Sequence, residues 1–142
     1  KDFYETGEWK PLHLPSSWEH LPLHQDSALG IELLRRNFMV VTLSNAPLGL
    51  TAKMCKNAGI AFDAITPLEL SRTYKTAPEA YLSVCSIYGV EPHEVAMVTA
   101  NETFGDIEAS RALGMTPFLI RGEEIPTIVD LAARLDAMGV RS

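Results

Sequence analysis

The chain has 142 residues, 46% of them hydrophobic, and a formal net charge of -6. That length suits one compact unit with a real core, and an acidic balance without a basic run argues against a nucleic-acid surface. No apolar run approaches the roughly 20 residues of a membrane span, and the start lacks the basic-then-apolar pattern of a signal peptide, so a cytoplasmic protein is expected.

Residues 1–25 differ in character from the rest. Pro11, Pro15 and Pro22, Trp9 and Trp18, and His13, His20 and His24 fall in a stretch without a clear period, which reads as a connecting arm. The three histidines come without cysteines or carboxylates in helical register, so they do not make a metal site. The chain starts on Lys1 and has no methionine before Met39, which points to a natural beginning further upstream.

From Asp26 onward helices and strands alternate. Asp26 or Ser27 caps a helix through Arg36, with Leu29, Ile31, Leu33 and Leu34 apolar and two arginines at its end. The run Phe38-Met39-Val40-Val41-Thr42-Leu43 is apolar without alternation, the habit of a parallel strand buried on both faces, and it stops at the polar pair Ser44-Asn45. A helix is expected over 50–57, then a short strand over 60–65 interrupted by Asp63. A loop follows with Ser71 to Lys75, and Pro78 suits the first turn of a helix to Tyr88. Strands over 95–100 and 117–120 flank a helix from Asp106 to Leu113, and a helix over 127–138 closes the chain. Such alternation means βαβ units, and hence an α/β fold with a doubly wound, Rossmann-like parallel sheet. Cys55 and Cys85 match no metal or redox spacing and read as reduced, half-buried thiols.

In open parallel sheets ligands sit beyond the carboxyl ends of the strands. Ser44 and Asn45, then Lys75, then Thr99, Asn101, Glu102 and Asp106 all fall at such ends. Each alone has an ordinary structural explanation, as helix cap or surface charge. Together, a hydroxyl, an ammonium and carboxylates suit a small anionic substrate and a developing negative charge. The glycine fingerprints of dinucleotide and P-loop sites are absent, which argues against a nucleotide cofactor.

These residues also resemble, in order, the motifs of the haloacid dehalogenase superfamily of aspartate-nucleophile hydrolases. Leu43-Ser44-Asn45 is similar to its second motif, a strand ending in Ser or Thr. Tyr74-Lys75-Thr76-Ala77-Pro78-Glu79-Ala80-Tyr81 is similar to the third, a lysine before a proline-started helix. Met97 to Met115, with Asp106 eight residues before Gly114, is similar to the fourth. Trp18-Glu19-His20-Leu21-Pro22, Ser44-Asn45, Tyr81 and Asn101 resemble the 2-haloacid dehalogenase branch in particular. The resemblance implies residues 26–142 as the C-terminal part of the core and residues 1–25 as an arm or the remnant of a cap domain. It implies that Ser44 binds the substrate carboxylate with Asn45 near the halide. Lys75 would balance the nucleophile's charge, Tyr81 would support the lysine, and Asn101 with Asp106 would order the pocket and the hydrolytic water. No cofactor is implied in that branch, and a homodimer is compatible with it.

Two departures from the pattern stand out. Dehalogenases of this type place the aspartate about three residues after the asparagine, whereas Asp106 lies five after Asn101. An alternative alignment makes Glu102 and Asp106 the acidic pair that phosphatase members use to hold Mg²⁺ against a phosphorylated metabolite. In addition, nothing in residues 1–38 resembles the first motif, a strand followed by the nucleophilic aspartate. The expectation is a core incomplete at its N-terminus, with the aspartate on an N-terminal segment or second chain outside this one. A non-catalytic module that binds an anion or a partner is the reading from a different class. Phe62, Phe104 and Phe118 are expected to pack against helices, and Leu131, Leu135 and Met138 to form the buried stripe of the last helix.

Overall fold

A computed structural model describes residues 26–139. The arm, its histidines and tryptophans, and the span that resembles the return from a cap lie outside the described residues. Two compact units are present. One comprises Leu43–Leu48 and Thr66–Leu119; the other comprises residues 26–42, Gly49–Ile65 and residues 120–139.

The helices are α1 (Ser27–Arg35), α2 (Leu48–Ala58), α3 (Leu68–Ser71), α4 (Pro78–Tyr88), α5 (Asp106–Ala112) and α6 (Ile128–Ala137); a 3₁₀ turn spans Pro92–Glu94. The strands are β1 (Val41–Thr42), β2 (Ala64–Ile65), β3 (Ala96–Thr99) and β4 (Thr116–Leu119). Both strand pairs are parallel. β1 and β2 pair Val41 with Ala64 and Thr42 with Ile65, and β3 and β4 pair in register from Ala96 with Thr116 to Thr99 with Leu119. Each pair is joined through a helix, α2 or α5, which is the βαβ connection that parallel pairing requires. The α/β reading therefore holds, expressed among the described residues as two two-stranded sheets.

In the first unit the core forms around Tyr81, Met97 and Met115, with Leu43, Cys85, Val95, Ala109 and Leu113 packed against them. Pro78 opens α4 and Gly89 closes it, as their positions in the sequence imply. In the second unit α1 packs on α6, burying Ile31 and Leu34 of one and Leu131 and Leu135 of the other. A Cβ on Gly30 would lie 2.5 Å from Cγ2 of Ile128, so this crossing depends on a residue with no side chain.

Several expectations change. β1 is two residues long rather than six, and Val41 and Thr42 are half-buried. Its one paired neighbour among the described residues is β2, and an edge strand keeps surface that a second neighbour would cover. Asp26 occupies the N-cap of α1, but its side chain caps nothing; it pairs with Arg121 instead, Oδ1 to Nη2 at 2.9 Å. Met138, expected in the buried stripe, is 62% exposed and is the C-cap of α6, which ends at Ala137. The loop expected before Lys75 contains α3. Cys55 and Cys85 are free and half-buried, and burial raises both thiol pKa values. No described helix is long and apolar enough to cross a membrane.

Candidate active site

The polar cluster lies within the first unit and is built around Asp106. β3 alternates so that Met97 and Thr99 are both buried, which turns the hydroxyl of its last residue inward. Asn101 then folds the chain after β3 back on itself. Its Oδ1 accepts from the backbone N–H of Thr103 and of Phe104, each at 3.0 Å, and from the Thr103 hydroxyl at 2.9 Å. Such an Asx turn is the usual local use of a short amide side chain. Gly105 follows at φ +104°, a left-handed conformation that residues with a Cβ rarely adopt, and α5 begins at once with Asp106. The two residues that gap the fourth motif are taken up in this turn, and Asp106 still reaches the C-terminal end of β3.

Asp106 is 2% exposed. Its Oδ1 accepts from the Tyr81 hydroxyl at 2.5 Å, and its Oδ2 from Lys75 Nζ at 3.1 Å and the Thr99 hydroxyl at 3.3 Å. Burying a carboxylate costs several kcal/mol unless it is paired and hydrogen-bonded. Here three donors, one of them cationic, offset that cost. The Lys75 side chain is itself only 13% exposed, so the pair acts in a medium where Coulomb attraction is poorly screened. Asp106 is thus the first residue of α5 rather than its cap, with its side chain spent on the cluster.

Lys75 is held from two further directions. Asn45 Oδ1 accepts from the Lys75 backbone N–H at 2.7 Å, and Asn45 Nδ2 donates to the Lys75 carbonyl at 3.1 Å. The Phe104 ring centroid lies 5.4 Å from Lys75 Nζ, a cation–π distance. Phe104, expected to pack against a helix, is 44% exposed and lies over the ammonium. The Lys75–Thr76 peptide is cis.

The loop from Ser44 to Leu48 is pinned at its far end as well. Glu69 on α3 accepts from the Leu48 backbone N–H at 2.6 Å, supplying a partner to one of the orphan donors at the start of α2. Ser44 Oγ accepts from the Ala46 N–H at 3.1 Å, and a hydroxyl so engaged keeps its own proton to donate.

Of the residues singled out from the sequence, Asn45, Lys75, Tyr81 and Asp106 form one hydrogen-bonded chain. Ser44 adjoins it through Asn45. Asn101 enters it through its backbone N–H, which donates to Thr99 Oγ1 at 3.1 Å, while its side chain serves the turn. Glu102 is exposed on that turn. Thr99 was placed at a strand end in the sequence without a role of its own, and Glu69 was not singled out. Thr99 was legible, since it shares the buried face of Met97 two residues earlier. Glu69 was not, because its partner Leu48 lies 21 residues away. The Glu102 and Asp106 pair fits Mg²⁺ poorly: one carboxylate is exposed and the other is already spent on an ammonium and two hydroxyls. Among the described residues, no group of three or more His, Cys, Asp or Glu side chains is placed to hold a metal ion.

No family model matches the sequence, and no curated protein is significantly similar to it. Solved structures are. A defluorinating L-2-haloacid dehalogenase matches with 30% identity and a TM-score of 0.77, over 85% of this chain and 56% of that one. Another L-2-haloacid dehalogenase matches with 25% identity and a TM-score of 0.77, over 95% of this chain and 67% of that one. The L-2-haloacid dehalogenase from Xanthobacter autotrophicus with chloropropionic acid covalently bound matches with 26% identity and a TM-score of 0.67, over 89% of this chain and 50% of that one. This chain therefore spans half to two thirds of the length of these dehalogenases. A HAD family enzyme from Bacteroides thetaiotaomicron, in complex with magnesium and inorganic phosphate, shares the fold at 23% identity and a TM-score of 0.55.

Proposed function

We propose that this chain, which belongs to the haloacid dehalogenase superfamily and is similar to its L-2-haloacid dehalogenases, contributes the lysine half of a site that hydrolyses small 2-halo carboxylic acids. The observation that carries the reading is the buried pair of Lys75 and Asp106, ringed by Tyr81 and Thr99. A cation fixed in this way is suited to stabilise a second carboxylate brought beside it.

In the reaction, an aspartate carboxylate oxygen attacks the α-carbon of the substrate, and the carbon–halogen bond breaks with its electron pair leaving on the halide. Water then hydrolyses the resulting ester, giving the 2-hydroxy acid, a proton and the free carboxylate. Asp106 is a poor candidate for the nucleophile because its two oxygens are occupied by three donors. We therefore assign the nucleophile to an aspartate outside the described residues, on an N-terminal segment or a second polypeptide. Lys75 would hold that aspartate ionised and in place. Ser44, with a proton to donate, would bind the substrate carboxylate. Asp106 and Tyr81 would keep Lys75 oriented.

The test uses the purified protein with any polypeptide that accompanies it, incubated with 2-chloropropionate. Chloride release, together with a transient mass increase equal to the dehalogenated acid on an aspartate-bearing peptide, is the expected result. Phosphate release from phosphate monoesters that depends on Mg²⁺, with no chloride released, would overturn the reading in favour of a phosphatase. Release of neither would favour the binding-module reading.

A further inference from the structure

The amide of Asn45 engages both backbone groups of Lys75, accepting from its N–H at 2.7 Å and donating to its carbonyl at 3.1 Å. A side-chain amide that matches donor to acceptor in this way reproduces the double bond pattern of a paired strand residue. Both Lys75 backbone groups are thereby satisfied by a residue 30 positions away in the chain. The other end of the same loop is fixed by Glu69 at the Leu48 N–H. The Lys75 side chain then runs to Asp106, 3.1 Å away, beneath the Phe104 ring. The backbone of Lys75 is thus anchored by one residue and its ammonium by another.

We infer that Asn45 is a positioning residue: it fixes the Lys75 backbone so that the ammonium stays against Asp106. This rests on the charge-balancing role proposed for Lys75 and deepens it. The Asn45 carbonyl oxygen is spent on the Lys75 N–H and one amide hydrogen on the Lys75 carbonyl, so the loss of Asn45 is felt first at Lys75. A change at position 45 propagates to the ammonium because Lys75 has no other described side chain holding its peptide.

Acylation of the Lys75 amine, read by peptide mass spectrometry across a pH series in the purified protein, tests this directly. In Asn45→Ala, Lys75 is expected to acylate on the order of tenfold faster, as two part-buried hydrogen bonds to its backbone are lost. Lys53 and Lys56 serve as internal standards and should not change. Asn45→Asp keeps the acceptor and loses the donor, so an intermediate increase is expected there, and this isosteric variant carries the test if the alanine variant does not fold by circular dichroism. Wild-type labelling of Lys75 in a folded variant would overturn the inference, and a loss of halide or carboxylate binding with that labelling unchanged would place Asn45 on the substrate alone. Labelling does not require turnover, so a failure of the hydrolase reading appears in chloride release, separately from this result.

Discussion

The Tyr81 hydroxyl donates to Oδ1 of Asp106 at 2.5 Å, while the ring of the same tyrosine is completely buried against Met97 and Met115. One side chain therefore serves the apolar core with its body and the polar cluster with its tip, the division of labour that buried tyrosines favour. The carboxylate it meets also holds Lys75, so packing in the core and charge at the site are coupled through a single residue.

Tyr81→Phe keeps the ring and removes the donor. The buried carboxylate retains Lys75 and Thr99, and the change should lower stability by about 1–3 kcal/mol. Urea unfolding should show an earlier midpoint with an unchanged slope. A wild-type midpoint would mean that this hydrogen bond contributes nothing net.

Asp106→Ala leaves the Lys75 ammonium, mostly buried, without its carboxylate. Breaking a buried pair from one side costs about 3–5 kcal/mol. Lys75→Ala should be similarly harmful, and the double variant should lose less than the sum of the two, with a coupling of about 1–3 kcal/mol in a double-mutant cycle. Strict additivity would show that the two groups do not interact energetically.

Gly30→Ala tests the α1–α6 crossing. The added Cβ would sit 2.5 Å from Cγ2 and 2.6 Å from Cβ of Ile128, too close for either helix to keep its place. Overpacking of this kind costs about 1–3 kcal/mol, which outweighs alanine's better helix propensity of roughly 1 kcal/mol. Thermal unfolding should move to lower temperature. Ile128→Ala would remove Cγ2 but keep the Cβ at 2.6 Å and the Val129 backbone N at 2.8 Å, so adding it to Gly30→Ala should recover little, whereas a more stable Gly30→Ala protein would refute the close approach.

Asp63 links pH to stability in the second unit. The Val40 backbone N–H bonds its Oδ2 at 2.7 Å and Arg35 Nε its Oδ1 at 3.0 Å. The Val40 hydrogen bond, ahead of the opposing effect of burial and the help of Arg35, lowers its pKa below the ordinary aspartate value. A carboxyl whose folded pKa is depressed adds stability above its unfolded pKa and loses it as pH falls through the folded value. Stability should therefore decline from about pH 3.9 downward, and Asp63→Asn should make that decline shallower. Urea midpoints across an acidic series measure it, and equal slopes in both proteins would exclude Asp63 as a contributor.

Much of the chain was legible in its order of residues. The alternation of apolar runs with Pro-started and Gly-stopped segments located α4, α5, β3 and β4 to within about two residues, because these signals are local and act on the backbone directly. The motifs at Asn45, Lys75 and Asp106 picked out residues that the structure joins in one hydrogen-bonded cluster, for the same reason. Tertiary structure alone decided what those groups touch. Asn45 turned to the Lys75 backbone, the Asn101 side chain to its own loop, Phe104 over an ammonium, and Glu69 onto a helix start far along the chain. Hydrogen bonds across 20 to 30 residues leave no periodic trace, since either partner alone is an ordinary polar residue at a strand end. The length of β1 was decided in the same way: an apolar run sets the tendency to form a strand, but the paired strand is only as long as its neighbour, and Ala64–Ile65 pairs for two residues.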